Sequence, residues 1–215
     1  MGKAFVRRLA AIILSLCAVV SLSGCGPDAP SLPKPAPSRI GLRDESGAMR
    51  VTFYPSLRKL AKDSQAIVAG MVTDRKKVVE TDGVTPFSTL QTVRVLSTLK
   101  GSVRPGGAVG VLQDGLPDAG TTGSAAILRK HEVVLLFLDR IGKSDLPRRF
   151  EKDYAVKGVT AGIYMLSDTD QFPTLAASGG EDGKAGDVRF SRFMITDGDT
   201  LPMTVSLGQV RKAAK

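Results

Sequence analysis

The chain has 215 residues, the size of one folded domain with a short appendage. A hydrophobic content of 42% is enough to bury a core, which excludes disorder throughout. The formal net charge of +9 suits anionic partners, but 5% aromatic residues and no Trp leave few flat platforms for stacking sugars or nucleic-acid bases.

The first 24 residues have the pattern of an export signal. Lys3, Arg7 and Arg8 form a basic start with no acid, and an apolar run follows over residues 9–22. Residues 9–24 would make about 24 Å of helix, which is shorter than the roughly 30 Å hydrocarbon core of a bilayer. The pattern therefore predicts a cleaved signal and not a permanent membrane span.

This segment ends in Leu22-Ser23-Gly24-Cys25, which resembles the lipobox of bacterial lipoproteins. The resemblance implies that a diacylglyceryl group is attached to the Cys25 thiol. It also implies that signal peptidase II recognises Leu22, Ser23 and Gly24 and cleaves before Cys25. The alternative is an ordinary secretory signal that ends near a cysteine.

The cysteine count agrees with a lipid anchor. The chain has two cysteines, and Cys17 lies inside the apolar run that the signal peptidase removes, so Cys25 alone remains. One cysteine forms no internal disulfide, and an acylated thiol is lost as a zinc ligand or nucleophile. Each buried methylene contributes about 0.8 kcal/mol, so two acyl chains hold a protein on a membrane where one does not.

Residues 25–50 are predicted to form a tether between the lipid and a domain at 51–215. Gly26–Ser38 contains five prolines in thirteen residues, which indicates polyproline II and a reach of up to about 40 Å. Residues 26–62 hold seven bases against three acids. Anionic headgroups would attract these bases, although an ordinary solvated linker is an equal alternative.

The rest of the chain predicts short strands with a helix near each end. Helices are predicted at Ser56–Ser64, with Ser56 as N-cap, and from Ser206 to the C-terminus. Val133–Leu138 has six apolar residues in a row, as in a strand buried on both faces. The other predicted strands are Ala66–Thr73, Phe87–Leu96, Ala108–Gln113, one or two within Tyr154–Met165, and Val188–Ile195, with a long loop at Ser167–Asp187.

These elements predict a mainly β domain, a small OB-like closed barrel or a sandwich of five to seven strands with short flanking helices. Over residues 56–166 the order of elements resembles a group of poorly characterised secreted proteins of Gram-positive bacteria. That resemblance implies an OB-like barrel similar in outline to the inhibitory domain of tissue inhibitors of metalloproteinases. Those inhibitors present a free, disulfide-bonded N-terminal cysteine to zinc, whereas Cys25 here carries lipid, so their mechanism does not transfer.

Candidate catalytic motifs are incomplete. His131 is the one histidine, and no Gly-x-Ser-x-Gly elbow supplies a nucleophile for it. Ser-x-x-Lys occurs at Ser56–Lys59 and Ser97–Lys100, at about the frequency expected by chance and without companion motifs. Asp168, Asp170, Asp197 and Asp199 lack the spacing of an EF-hand, so turn and capping roles are expected for them.

We therefore expect a lipid-anchored extracytoplasmic binding or interaction module of the bacterial envelope that is not an enzyme and needs no cofactor or metal. An envelope polymer or protein is the expected partner, and no nucleic acid is expected. The alternatives are an envelope hydrolase with spatially assembled carboxylates and a structural envelope protein. The location would be the cell membrane of a Gram-positive host or the outer membrane of a Gram-negative one.

Overall fold

The computed structural model describes residues 32–43, 53–79, 87–115, 127–142, 150–178, 185–195, 198 and 200–215. Residues Pro33–Lys215 belong to one compact unit. Within the described ranges, the strands are β1 (Leu42–Arg43), β2 (Ala66–Val79), β3 (Phe87–Lys100), β4 (Ala108–Asp114), β5 (Val133–Arg140), β6 (Tyr154–Val156), β7 (Ile163–Leu166), β8 (Arg189–Arg192), β9 (Met194–Ile195) and β10 (Thr204–Ser206). The helices are α1 (Leu57–Asp63), α2 (Phe172–Ala177) and α3 (Leu207–Ala214).

Five of these strands close into an OB-like barrel, which confirms the predicted fold class. β2, β3 and β4 form an antiparallel meander, and β5 pairs antiparallel with the other edge of β2. β6 closes the barrel, because it pairs antiparallel with β5 and parallel with β4. The strand order β5-β2-β3-β4-β6, returning to β5, leaves no open edge along the barrel.

Alternating side chains of the barrel strands fill its interior. Val68 of β2 is opposite Leu136 of β5, and both are fully buried in one apolar cluster with Val93 and Val111. β5 is buried on both faces over Val133–Leu138, as predicted, and β7 pairs with one of its edges. Gly70 on β2 leaves room for the backbone of β3, since a Cβ there would collide with the Arg94 carbonyl oxygen.

A second group of strands extends the sheet beyond β5. β7 pairs with β5, β8 with β7, and β10 with β8, all antiparallel. β1 and β9 form a separate two-stranded parallel pair. The predicted strand at Val188–Ile195 is divided into β8 and β9, and the predicted region at Tyr154–Met165 into β6 and β7.

Helices α1 and α3 lie where the sequence predicted them. The Ser56 hydroxyl accepts a hydrogen bond from the Lys59 amide at 3.2 Å and caps α1. Ser206 and Gln209 form a reciprocal capping box at the start of α3. The long loop expected at Ser167–Asp187 instead contains α2, whose second residue is a proline, a residue that suits a first helical turn. Across the described residues, no helix combines the length and apolar character that crossing a membrane requires.

Candidate functional site

The predicted lipidation residues Leu22, Ser23, Gly24 and Cys25 lie outside the described residues. The structure does describe how the chain that follows them joins the barrel. Residues Pro33–Arg43, which the sequence analysis assigned to the tether, run along the domain and contact it repeatedly. We call this stretch the N-terminal segment and treat its contact with the domain as the candidate functional site.

Its first contacts are made near the beginning of β5. The Ala36 amide donates to the His131 carbonyl at 2.8 Å, and the Ser38 hydroxyl donates to the Leu166 carbonyl at 2.6 Å. These bonds join the segment to the turn before β5 and to the end of β7. The chain is therefore held to the domain from Ala36 onward.

Its last contacts are backbone bonds and a short strand pair with the chain at β8 and β9. The amides of Gly41 and Leu42 donate to the carbonyls of Arg192 and Phe193, each at 3.0 Å. β1 then pairs in parallel with β9, with Leu42 opposite Met194. Since Leu42 also packs against the barrel core, the segment contributes apolar contacts as well as backbone bonds.

Arg39 makes the strongest polar contact of the segment. Its Nε lies 2.6 Å from Oε1 of Glu132, and its Nη2 lies 3.0 Å from Oε2, so the pair is bidentate. Nη2 also donates to the Ile127 carbonyl at 2.8 Å, and the guanidinium lies 4.7 Å from the centre of the Phe193 ring. Only 15% of the Arg39 side chain and 2% of the Glu132 side chain are exposed.

Glu132 also forms hydrogen bonds with neighbouring residues of the domain. The Arg129 amide donates to its Oε2 at 2.7 Å, and its backbone carbonyl accepts from the Val72 amide at 2.9 Å. Both carboxylate oxygens therefore have partners in a nearly dry position. The arrangement attaches the N-terminal segment to the barrel. The Arg39 guanidinium and the Glu132 carboxylate pair with each other and are not presented to a substrate.

His131 takes part in this junction through its backbone. Its φ of 68° is in the left-handed region, which fits the tight turn before β5. Its amide donates to the Val72 carbonyl at 2.7 Å, and its carbonyl accepts from Ala36. Through these two backbone bonds, His131 links the N-terminal segment to β2.

The two Ser-x-x-Lys motifs are not assembled into nucleophile and base. Ser56 caps α1, and Lys59 forms an ion pair with Asp63 at 2.9 Å. Ser97 is fully buried and accepts a hydrogen bond from Arg211 at 3.3 Å. Lys100 donates to the carbonyls of the last turn of α1. Each side chain therefore has a structural contact of its own.

Of the four aspartates considered for a cation, two can be placed. Asp168 caps a 3-10 turn by accepting from the Asp170 amide at 2.9 Å, the capping role that was expected. Asp197 and Asp199 lie outside the described residues. In the part of the chain that the structure covers, no three His, Cys, Asp or Glu side chains are grouped as metal ligands.

A polar cluster that the sequence did not reveal lies at the other end of β5. Lys157 forms an ion pair with Asp139, and this hydrogen bond raises the pKa of the Lys157 ammonium. Burial raises the pKa of the nearby Tyr54 hydroxyl. Both groups therefore keep their protons at neutral pH and do not act as bases. Asp139 and Lys157 are 18 residues apart in the chain, so no local pattern signals their contact.

The outer face of β3 and β4, where OB-fold barrels commonly bind oligomeric ligands, carries an apolar cluster. Leu112 of β4 is buried together with Val78, Ile141 and Phe150, and Leu90 of β3 packs against them. The connection between β5 and β6 supplies Ile141 and Phe150. This part of the face is therefore used for packing.

Comparison with protein-family models gave no match for this chain, and comparison with curated proteins gave none either.

Proposed function

We propose that this chain is a lipid-anchored, extracytoplasmic binding module of the bacterial envelope. The observation that carries the proposal is the sequence Leu22-Ser23-Gly24-Cys25 directly after a basic start and an apolar run. Its resemblance to the lipobox of bacterial lipoproteins supplies a site of attachment and a site of cleavage. The absence of any further cysteine after Cys25 agrees with a thiol used for acylation.

The attachment of the N-terminal segment supports this function because its contacts with the domain begin soon after the proposed lipid-bearing residue. The compact unit begins at Pro33, eight Cα steps after Cys25. A fully extended chain of that length spans at most about 30 Å. A domain attached in this way remains close to the bilayer, which suits a module that binds a component of the envelope.

Two of the described acidic groups are held in ion pairs, and this pairing argues against their use as catalytic carboxylates. Glu132 and Asp139 are each paired with a base, and Lys157 and Tyr54 retain their protons. General acid and base catalysis needs groups that exchange protons near neutral pH. We therefore propose a module that binds an envelope polymer or an envelope protein, and not a hydrolase built on these two carboxylates.

Substitution of the proposed lipid-bearing residue tests the anchor. We expect Cys25→Ser to abolish incorporation of labelled palmitate in the producing bacterium and to leave unprocessed precursor or released protein. Cys17→Ser is the matched control, because it removes the other thiol within the same signal and should leave labelling unchanged. The proposal is wrong if Cys25→Ser is labelled, processed and retained on the membrane like the parent.

A further inference from the structure

Large apolar side chains are exposed next to the N-terminal segment. Among the described residues, five such side chains are exposed, and three of them belong to this region: Ile40 at 39%, Ile195 at 36% and Met203 at 45%. Single exposed apolar residues are ordinary, whereas several in one region indicate a surface that binds something.

Backbone pairing brings these three residues to one place. Gly41, which follows Ile40, donates to the Arg192 carbonyl, and the Arg192 amide donates to the Met203 carbonyl at 2.8 Å. Ile195 is opposite Arg43 in the β1–β9 pair. Three separate parts of the chain therefore present an exposed apolar residue around β8 and β9.

Exposed bases accompany this apolar group. Lys34 and Arg43 lie within the N-terminal segment, and both are exposed. The bond between Ala36 and His131 brings the start of the segment to the turn that carries Arg129 and Lys130, which are exposed as well. We call the surface formed by these seven residues the N-terminal face: Lys34, Ile40, Arg43, Arg129, Lys130, Ile195 and Met203.

We propose that the N-terminal face docks on the anionic headgroups of the membrane to which the protein is anchored. This inference rests on the proposed lipid anchor and adds a second, non-covalent contact with the same bilayer. Bases near an anionic surface are attracted by about 1 kcal/mol each, which is about a fivefold gain in the docking equilibrium per base. Apolar side chains between them enter the boundary between headgroups and acyl chains.

The tether favours a membrane over a soluble partner. Since at most about 30 Å of chain separates Pro33 from the proposed acylated residue, the N-terminal face begins within reach of the bilayer surface. A tether of this length makes docking an intramolecular step with a high effective concentration of lipid. A soluble protein partner would have to compete with headgroups that are always present.

A single introduced tryptophan tests the docking, because the chain contains none. The acylated full-length product carrying Met203→Trp is purified from membranes and reconstituted into phosphatidylglycerol vesicles or phosphatidylcholine vesicles. We expect blue-shifted emission and quenching by brominated lipid in the anionic vesicles and neither effect in the neutral ones. Ser102→Trp is the matched control, because Ser102 lies on the exposed turn between β3 and β4 and should give neither effect in either vesicle.

Charge removal provides the second variant. Adding Lys34→Gln and Arg43→Gln to Met203→Trp should lower the docking equilibrium constant by about 25-fold and abolish most of the quenching. The circular dichroism spectrum of each variant verifies that the barrel is folded.

The outcomes separate the docking from the anchor. If the parent fails to sediment with either vesicle, the lipid anchor is wrong. If it sediments with both but the Met203→Trp signal matches the Ser102→Trp signal, the anchor stands and the docking is wrong. A blue shift that appears equally in phosphatidylcholine, or that rises with protein concentration in detergent, would identify self-association and also overturn the docking.

Discussion

Arg39 is the residue on which attachment of the N-terminal segment most depends. Its guanidinium combines a bidentate ion pair with Glu132, a bond to the Ile127 carbonyl and a cation–π contact with Phe193. A lysine at this position has no planar fork and could not reproduce that combination. Loss of Arg39 leaves Glu132 charged in a nearly dry position. The free-energy cost of that isolated charge exceeds the net stabilisation that the ion pair provides.

We expect Arg39→Met to lower the free energy of unfolding by about 3 to 5 kcal/mol, because it isolates the buried carboxylate of Glu132. Urea denaturation at pH 7 measures the change. Lys59→Met is the control, since it breaks the Lys59–Asp63 pair, in which the Lys59 side chain is 52% exposed and the expected loss is below about 1 kcal/mol. Equal losses for the two variants would show that the Arg39 contact is not the main attachment.

Asp153 provides a residue with a definite pH signature. Its carboxylate lies beside Gly110 of β4, where any side chain would collide with it, and burial raises the pKa of Asp153. The folded state therefore binds this proton more tightly than the unfolded state does. The stability associated with the neutral carboxyl is complete below the ordinary pKa of 3.8 and is lost as pH rises through the raised value.

Asp153→Asn should consequently be more stable than the parent at pH 7, by up to about 0.5 kcal/mol because the carboxyl is partly exposed. The difference should vanish below pH 3, where both side chains are neutral. Thermal unfolding at pH 3, 5 and 7 measures this dependence. If the stability of Asp153→Asn relative to the parent were lower at pH 7 than at pH 3, burial would not be the cause of the raised pKa of Asp153.

At the scale of elements, β1 connects the N-terminal segment to the domain by pairing with β9. A two-residue parallel pair has little stability of its own, so its presence depends on the adjacent contacts of Arg39 and Leu42. Attachment of the segment is therefore expected to be cooperative across Ala36–Arg43.

Hydrogen exchange measures that attachment directly. We expect the amides of Ala36, Gly41 and Leu42 to exchange at least about tenfold more slowly than in an unstructured peptide, because each donates to a carbonyl of the domain. Arg39→Met should raise all three rates together. Exchange at the unstructured rate in the parent would mean that this stretch is a free tether.

The sequence predicted the barrel elements well, because their signals are local. The uninterrupted apolar run of β5 and the Gly and Pro residues around the shorter strands are visible without any tertiary information. β2 extends six residues beyond its predicted end, across the charged stretch Asp74–Lys77. Pairing with β3 on one edge maintains this extension where hydropathy alone indicates a loop.

The candidate site was predictable only in part. Pro33–Arg43 contains three prolines and too few apolar residues to indicate an element, and β1 forms only because β9 lies beside it. Arg39 and Glu132 are 93 positions apart, so their contact depends on the closed fold and has no local signal. Tertiary contacts of this kind override local propensity, and the pattern of a single sequence does not reveal them.

At the scale of the whole molecule, the barrel and the sheet that extends from it share β5. β2 pairs with one edge of β5. Along the other edge, β6 closes the barrel and β7 continues the sheet toward β8 and β10. The N-terminal segment contacts both parts, through His131 at the start of β5 and through Arg192 on β8. It therefore joins the two halves of the sheet in addition to leading toward Cys25.

Tension applied to the chain ahead of Pro33 would arrive first at the Ala36–His131 bond, then at the Ser38–Leu166 bond and then at the Arg39–Glu132 pair. These three contacts lie outside the ladders that hold the barrel strands together. In a protein anchored as proposed, growth or shearing of the envelope would thus detach a short stretch of polypeptide before it strained the barrel. The detached stretch would lengthen the tether and would re-form its contacts with the domain once the tension ceased. The junction would therefore limit the force that reaches the barrel.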